Sequence, residues 1–329
     1  MQIVFLNTFE KATEEGGVQS AQLSICEREG VWAILWLEQS GPKPAPDTWF
    51  EGSSWEEMIA AFRYGAASRM REGYVPVIDG MLEDRTSASS FSSMLQCYGE
   101  LHADQELFES LREWRRAKAA ALKKSAYLVA TNRMLWMISA FVPKTKEELL
   151  QIPGWGESKH AAYGEEVLAI TAKAERTSGF PLGWVAEKLE PQVYLQWKYQ
   201  KKEAKHKYEL DRQQEKKKIL ALTQQGGSLD SLQAELDLPR RQIVDRLEQL
   251  ESEGYHFEKL VEAELAALPE SELERIWDAF GKLGDRYLKP VLHEVYGDKP
   301  EQDKSIDTMY EKLRLVRLQF RRRGSQAAV

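Results

Sequence analysis

Residues 151–164 read QIPGWGESKHAAYG, a tryptophan between two glycines with a lysine three residues further on. The stretches on both sides carry helical spacing, so the chain must reverse between two helices within a few residues. Gly154 and Gly156 permit positive φ in such a hairpin and leave its backbone bare. The N–H groups that open the following helix then face outward with a partial positive charge, which suits a phosphate. Lys159 lies one turn inside that helix and adds an ammonium. The same pattern also makes a plain helix–helix corner, and the hairpin alone leaves both readings open.

Composition narrows the class. At 329 residues the chain has room for two or three domains. A hydrophobic content of 43% beside 29% charged residues is that of a soluble globular protein. The opening MQIVFLNTFEK has no basic leader region and is not expected to be a signal peptide. The longest apolar zone, AYLVATNRMLWMISAFV, contains Asn132 and Arg133, which a bilayer span tolerates poorly. Cys26 and Cys97 suggest neither a disulfide framework nor a zinc site. The expected location is the cytoplasm, with no membrane partner. Net charge is −7 but unevenly placed. Residues 1–100 hold 7 Lys and Arg against 15 Asp and Glu, a net of −8; residues 196–220 hold 9 against 4, a net of +5. Local basic faces matter more to a polyanion than the global sum.

The expected fold is mainly α and multidomain. Residues 1–83 read as a small α+β domain: QIVFLNTF and AQLSICEREGVWAILWLEQ are strand-like, with EREG as the hairpin turn. SSWEEMIAAFRYGAASRMREG follows as a helix, with Trp55, Ile59, Phe62 and Ala66 on one face and Ser54 and Glu57 forming a capping box. The serine-rich stretch 84–103 reads as a linker, with Phe91 and Met94 as anchors. Residues 104–176 are helical throughout, with Leu107, Leu111 and Trp114 on one stripe. Thr145 and Glu148, after Pro143, begin the helix that leads into the glycine hairpin. Residues 177–217 form a basic helical connector. Residues 218–329 form a helix-turn-helix or winged-helix-like region.

The segment from Leu107 to Ile170 as a whole resembles the HRDC domain found at the C-termini of RecQ-type helicases and of RNase D. The L-x-x-W-R opening, the Y-x-V-x-x-N entry to a second helix, the P-x-T-x-E-E-L cap and G-x-G-E-x-K-x-x-x-Y-G fall in order. Ser125 departs from the proline that relatives often carry. The resemblance implies a central helical bundle that binds DNA weakly, preferring single strands or junctions. Carried over position by position, it implies contacts from Lys123, Lys124, Tyr127, Arg133, Trp155, Lys159 and Tyr163, beside the hairpin backbone at Gly154 and Gly156. Trp155 also reads as a plug for the hairpin, and Tyr163 as core.

The last third places Leu229, Leu232 and Leu236 before a short DLP turn and Ile243, Leu247 and Leu250 after it, which is helix-turn-helix spacing. It resembles the helix-turn-helix module appended to some bacterial RecQ helicases and their partner proteins. Arg240, Arg241, Gln242 and Arg246 form the expected reading face. Asp245, Glu248 and Glu251 share that helix, so a protein-binding winged helix stays open. Between the modules, Lys and Arg interleave with Trp197, Tyr199 and Tyr208, a composition suited either to stacked bases or to a plain solvated face.

Other chemistry is missing from the sequence. There is no G-x-x-x-x-G-K-[ST] loop and hence no helicase motor. His102, His160, His206, His256 and His293 share no metal-ligand spacing with one another or with the cysteines. Asp104 and Glu106 sit where a helix cap and a first-turn acid belong, and not on a nuclease strand. The expectation is a non-enzymatic nucleic-acid-binding accessory protein without cofactor, metal or catalytic residues. It favours DNA over RNA and serves a helicase or nuclease on another chain. A sequence-specific transcriptional regulator and a protein–protein adaptor are the alternatives.

Overall fold

The computed structural model describes residues 1–13, 16–39, 45–78, 91–297 and 306–326. The chain is mainly α and multidomain, a small N-terminal sheet followed by helices. It divides into two compact units, Met1–Lys207 and Tyr208–Val329. Among the described residues no helix is long and apolar enough to cross a membrane.

The first unit opens with β1 (Gln2–Ala12), β2 (Val18–Arg28), β3 (Val31–Glu38) and β4 (Asp47–Gly52), then α1 (Trp55–Arg71) and β5 (Val75–Pro76). The strands make an antiparallel sheet in the order β4-β3-β2-β1-β5. EREG is the expected turn: Arg28 pairs with Val31, and Glu29 and Gly30 both take positive φ, the two-residue geometry that follows the twist of the strands. One sheet face is sealed by α1, burying Phe9, Leu23, Ile34 and Trp36 against Met58, Ala66 and Ala67. Ser54 caps α1 by accepting from the Glu57 amide, as the sequence predicts. The buried stripe is rotated from the expected one, for Met58 is fully buried while Trp55 is 53% exposed against Trp32. Cys26 is buried in this sheet.

A helical bundle follows within the same unit: α2 (Phe91–His102), α3 (Gln105–Ala121), α4 (Ala126–Val129), α5 (Asn132–Phe141), α6 (Lys146–Leu149), α7 (Glu157–Thr171), a 3₁₀ turn at Leu182–Trp184 and α8 (Val185–Lys188). One core joins Leu95, Leu111, Leu135, Ile138, Phe141, Leu149, Trp155, Val167, Leu182 and Val185. Asp104 caps α3 by accepting from the Leu107 amide at 2.8 Å.

The stretch expected as a linker is therefore in part a bundle helix. Leu95 and Tyr98 of α2 lie in the core, and a Cβ at Gly99 would come within 3.0 Å of the Met137 backbone. Only a glycine lets α2 cross α5 so closely. The serines hid the apolar spacing of Leu95 and Tyr98; residues 84–90 lie outside the described residues. Likewise Leu182 and Val185, expected in the connector, are core. Cys97 of α2 packs with Leu189 and Tyr194, and burial, aided by Glu100, pushes its thiol up to about 11.

The helix α9 (Pro191–Gln224) contributes residues to both units. The second unit adds α10 (Leu229–Leu236), α11 (Arg240–Ser252), α12 (Glu258–Leu265), α13 (Glu270–Leu283), α14 (Leu288–Tyr296) and α15 (Ile306–Gln326). Leu229, Leu232, Ile243, Leu247 and Leu250 join a core with Ile276, Phe280, Val291, Leu313 and Val316. Asp237 closes α10 in the left-handed conformation, which makes the turn into α11 tight. Among the described residues of this unit there is no strand, so no wing accompanies the α10–α11 pair.

Candidate nucleic-acid interface

The glycine hairpin is built by its caps and its core. Thr145 accepts from the Glu148 amide, and Glu148 accepts in return from the Lys144 amide at 2.6 Å. Burial pushes the Glu148 carboxyl up, but the Lys144 amide and the Arg176 guanidinium outweigh it and leave it below the ordinary carboxylate value. Ile152 and Trp155 then turn inward, each 1% exposed. Gly154 takes φ 88°, where a side chain would be strained, and a Cβ would lie 2.5 Å from Met134 Cε.

One expectation fails at this point, and of the two readings of Trp155 the hairpin plug is the one that holds. Gly156 has φ −94° and ψ 178°, ordinary extended backbone, so positive φ is not its role. It stands at the N-cap of α7, gives no side-chain cap, and has open space where a Cβ would be. Trp155 cannot stack on a ligand, because the hairpin needs its ring in the core; its indole N–H is buried without a partner.

Lys159 is also placed differently from the expectation. Its ammonium donates to the Leu128 carbonyl at 2.9 Å and to the Val129 carbonyl at 3.0 Å. Arg115, 9% exposed, donates to the next carbonyl, Ala130, at 2.9 Å. Burial, with Arg112 and Arg116 as like-charged neighbours, lowers the pKa of Arg115. Three consecutive carbonyls at the end of the one-turn helix α4 are thus capped by two cations, as helix C-termini favour. The contact brings the hairpin helix beside the α3–α4 turn.

That turn presents three more of the predicted residues, Lys123, Lys124 and Tyr127. Lys123 (φ 52°) and Lys124 are exposed, Tyr127 is 66% exposed, and Leu128 is 52% exposed. Arg116, a residue the sequence reading passed over, is exposed in the last turns of α3. It stands one turn before Ala120 in the last stretch of α3, where basic residues cluster toward the helix C-terminus, and that clustering was the signal. Among the described residues, the side chains of Arg116, Lys123 and Lys124 enter no ion pair. Several other bundle cations are engaged. Lys118 pairs with Glu166, Arg176 with Glu148 at 2.7 Å and Lys146 with Glu157 at 3.0 Å. Arg133, expected as a contact, donates to the Ser92 hydroxyl at 2.7 Å, because α2 covers its position. Tyr163 packs edge-on against Trp114.

The HRDC domain family model matches residues 104–171. Those residues are an HRDC domain. Over 67 residues the chain is 36% identical to the ATP-dependent DNA helicase UvrD2 of Mycobacterium bovis, and equally to proteins of that name from two strains of Mycobacterium tuberculosis. The shared stretch is 20% of this chain and 10% of each helicase. No solved structure matches the chain. The core of the HRDC domain extends here beyond the matched residues, through Leu95, Tyr98, Leu182 and Val185.

Outside the HRDC domain, the expected reading face on α11 is spent on internal ion pairs. Arg240 donates to Glu311 at 2.9 Å and Glu264 at 2.7 Å and also pairs with Asp230. Burial works against its charge, but Glu311 and Glu264 outweigh that and raise its pKa. Arg241 meets Asp307 at 2.7 Å, and Arg246 meets Glu215 at 2.5 Å. Among the described residues, Gln242 is exposed and, unlike the other three, forms no bond to an acidic side chain. The acids on the same helix are answered too, Asp245 by Arg314 and Glu248 by Arg314 and Arg317. Sequence spacing marks the outer side of a helix; it does not show that α15 brings Asp307, Glu311, Arg314 and Arg317 to that side. Among the described residues no group of three His, Cys, Asp or Glu is placed to hold a metal ion.

Proposed function

We propose that this chain is a non-enzymatic nucleic-acid-binding accessory protein that acts through its HRDC domain. Its ligand is a single-stranded or junction DNA held at the α3–α4 turn. Arg116, Lys123 and Lys124 would hold successive phosphates, and Tyr127 would stack on an unpaired base. The observation that carries this reading is Tyr127, an aromatic ring 66% exposed, three residues after the exposed Lys123-Lys124 pair, which enters no ion pair among the described residues. A single strand offers bases to such a ring, which a closed duplex does not. The chain would serve a helicase or nuclease supplied by another polypeptide. The internal pairing of Arg240, Arg241 and Arg246 argues against the transcription-factor reading.

The test is a titration of an oligo(dT) strand, a duplex and a fork at several salt concentrations. Binding to the strand should fall in the ~10⁻⁴–10⁻⁶ M range of sequence-independent complexes. Arg116→Ala, Lys123→Ala and Lys124→Ala should each weaken it on every sequence and lower the log–log salt slope by about 0.7. Tight duplex binding that these substitutions leave intact would place the ligand elsewhere.

A further inference from the structure

Lys159 combines two facts that a phosphate ligand would not combine. It sits where the hairpin motif expects a phosphate contact, yet its ammonium is already shared between the Leu128 and Val129 carbonyls. Those carbonyls belong to a four-residue helix, α4, whose N-cap Ser125 makes no side-chain cap bond. A single turn has almost no stability of its own, because nucleation fixes several residues for one hydrogen bond. What holds α4 is the burial of Val129 and Ala130, both 0% exposed, with Arg115 on the Ala130 carbonyl and Lys159 on the two before it. The outward half of the turn, Tyr127 and Leu128, has no buried anchor. On that side Lys159 is the tie to the hairpin helix.

We infer that Lys159 is a positioning residue. It holds the Tyr127 turn against α7 and does not itself neutralise a phosphate. The inference rests on the proposed binding face at the α3–α4 turn, and it assigns the hairpin a supporting part in that face. The charge is consumed by carbonyl dipoles, so removing it should change how well the ring is presented rather than how many phosphates are met. An unanchored turn must be ordered at the moment of binding, and that cost appears as lost affinity.

The experiment uses the full chain with Lys159→Met, which keeps the stem and removes the donors, and reads two quantities. The first is amide exchange without ligand. The Leu128 amide, bonded to the Ser125 carbonyl, and the Ala130 amide, bonded to the Ala126 carbonyl, should exchange about tenfold faster, the loss expected for hydrogen bonds from a charged donor. The second is oligo(dT) affinity against salt. Affinity should fall several-fold while the log–log slope stays at the wild-type value; Lys159→Arg, which keeps donors for both carbonyls, should restore exchange and affinity together. A slope lowered by about 0.7 with unchanged exchange makes Lys159 a phosphate contact and overturns the inference. Faster exchange with undiminished affinity reduces it to a fold contact and overturns the inference as well. If the wild-type chain binds no strand at all, the binding face itself fails, a result the exchange measurement does not depend on.

Discussion

Lys123 and Lys124 stand at the turn between α3 and α4, and Arg240 and Arg241 open α11 directly after the turn from α10. On paper these are the same device, two adjacent cations at a helix junction. In the HRDC domain the doublet is exposed, as are Arg116 in the last turns of α3 and Tyr127 three residues after Lys124. In the second unit Arg240 meets three carboxylates and Arg241 meets Asp307. The first pair enters no ion pair among the described residues; the second spends its charge on joining α10, α11, α12 and α15. A basic doublet becomes a site or a joint according to which acids the fold brings to it.

Substitutions can break this contrast, beginning with the largest effect. Arg240→Ala strands Glu264 and Glu311, whose side chains are 18% and 17% exposed. Removing one partner of a buried pair costs about 3–5 kcal/mol, and since Arg240 is 29% exposed, about 2–3 kcal/mol is expected in denaturant unfolding of the second unit. Lys124→Ala at the matching place should leave unfolding unchanged. If Arg240→Ala is as stable as the wild type, the pairs are not a joint.

Next in size is Tyr127→Ala, which should weaken oligo(dT) binding by about 1–3 kcal/mol, the worth of one stacked base. Thermal unfolding should stay as it was, because the ring is mostly in water. An unchanged affinity would leave the exposed ring without a purpose and sharpen the case for an adaptor. The smallest effect belongs to Arg241→Ala. Its pair with Asp307 is exposed on both sides, 53% and 66%, so stability should move by less than about 1 kcal/mol. Strand and duplex affinity should both be unaffected. A loss of duplex affinity there would restore the α11 reading face.

What could be seen in the sequence was whatever is written locally. Ser54, Asp104 and Thr145 each cap a helix because an oxygen-bearing side chain stands three residues before the amide it receives. Glu29 and Gly30 turn a hairpin because two residues between strands leave few other conformations. Gly154 sits at positive φ because the reversal is that short. The order of motifs from Leu107 onward marked the HRDC domain. What could not be seen depends on residues far apart in the chain: Lys159 on Leu128, Arg133 on Ser92, Arg240 on Glu311. Each changes a side chain from a candidate contact into a tether. The helix at Phe91–His102 was hidden for a different reason, since it follows a serine-rich stretch and its own second and third residues are serines, so the buried stripe emerges only at Leu95.

The two cysteines have a practical consequence. Cys26 lies in the sheet and Cys97 in α2, 2% and 0% exposed, and the Cys97 thiol is raised to about 11. An alkylating reagent attacks the thiolate, so in the closed protein at neutral pH Cys97 is doubly shielded, by access and by protonation. Once its helix lifts away, the thiol returns to an ordinary value and reacts. The rate of modification at each sulfur then counts how often the sheet and the α2 layer open independently, giving the native chain two chemical clocks that need no added label.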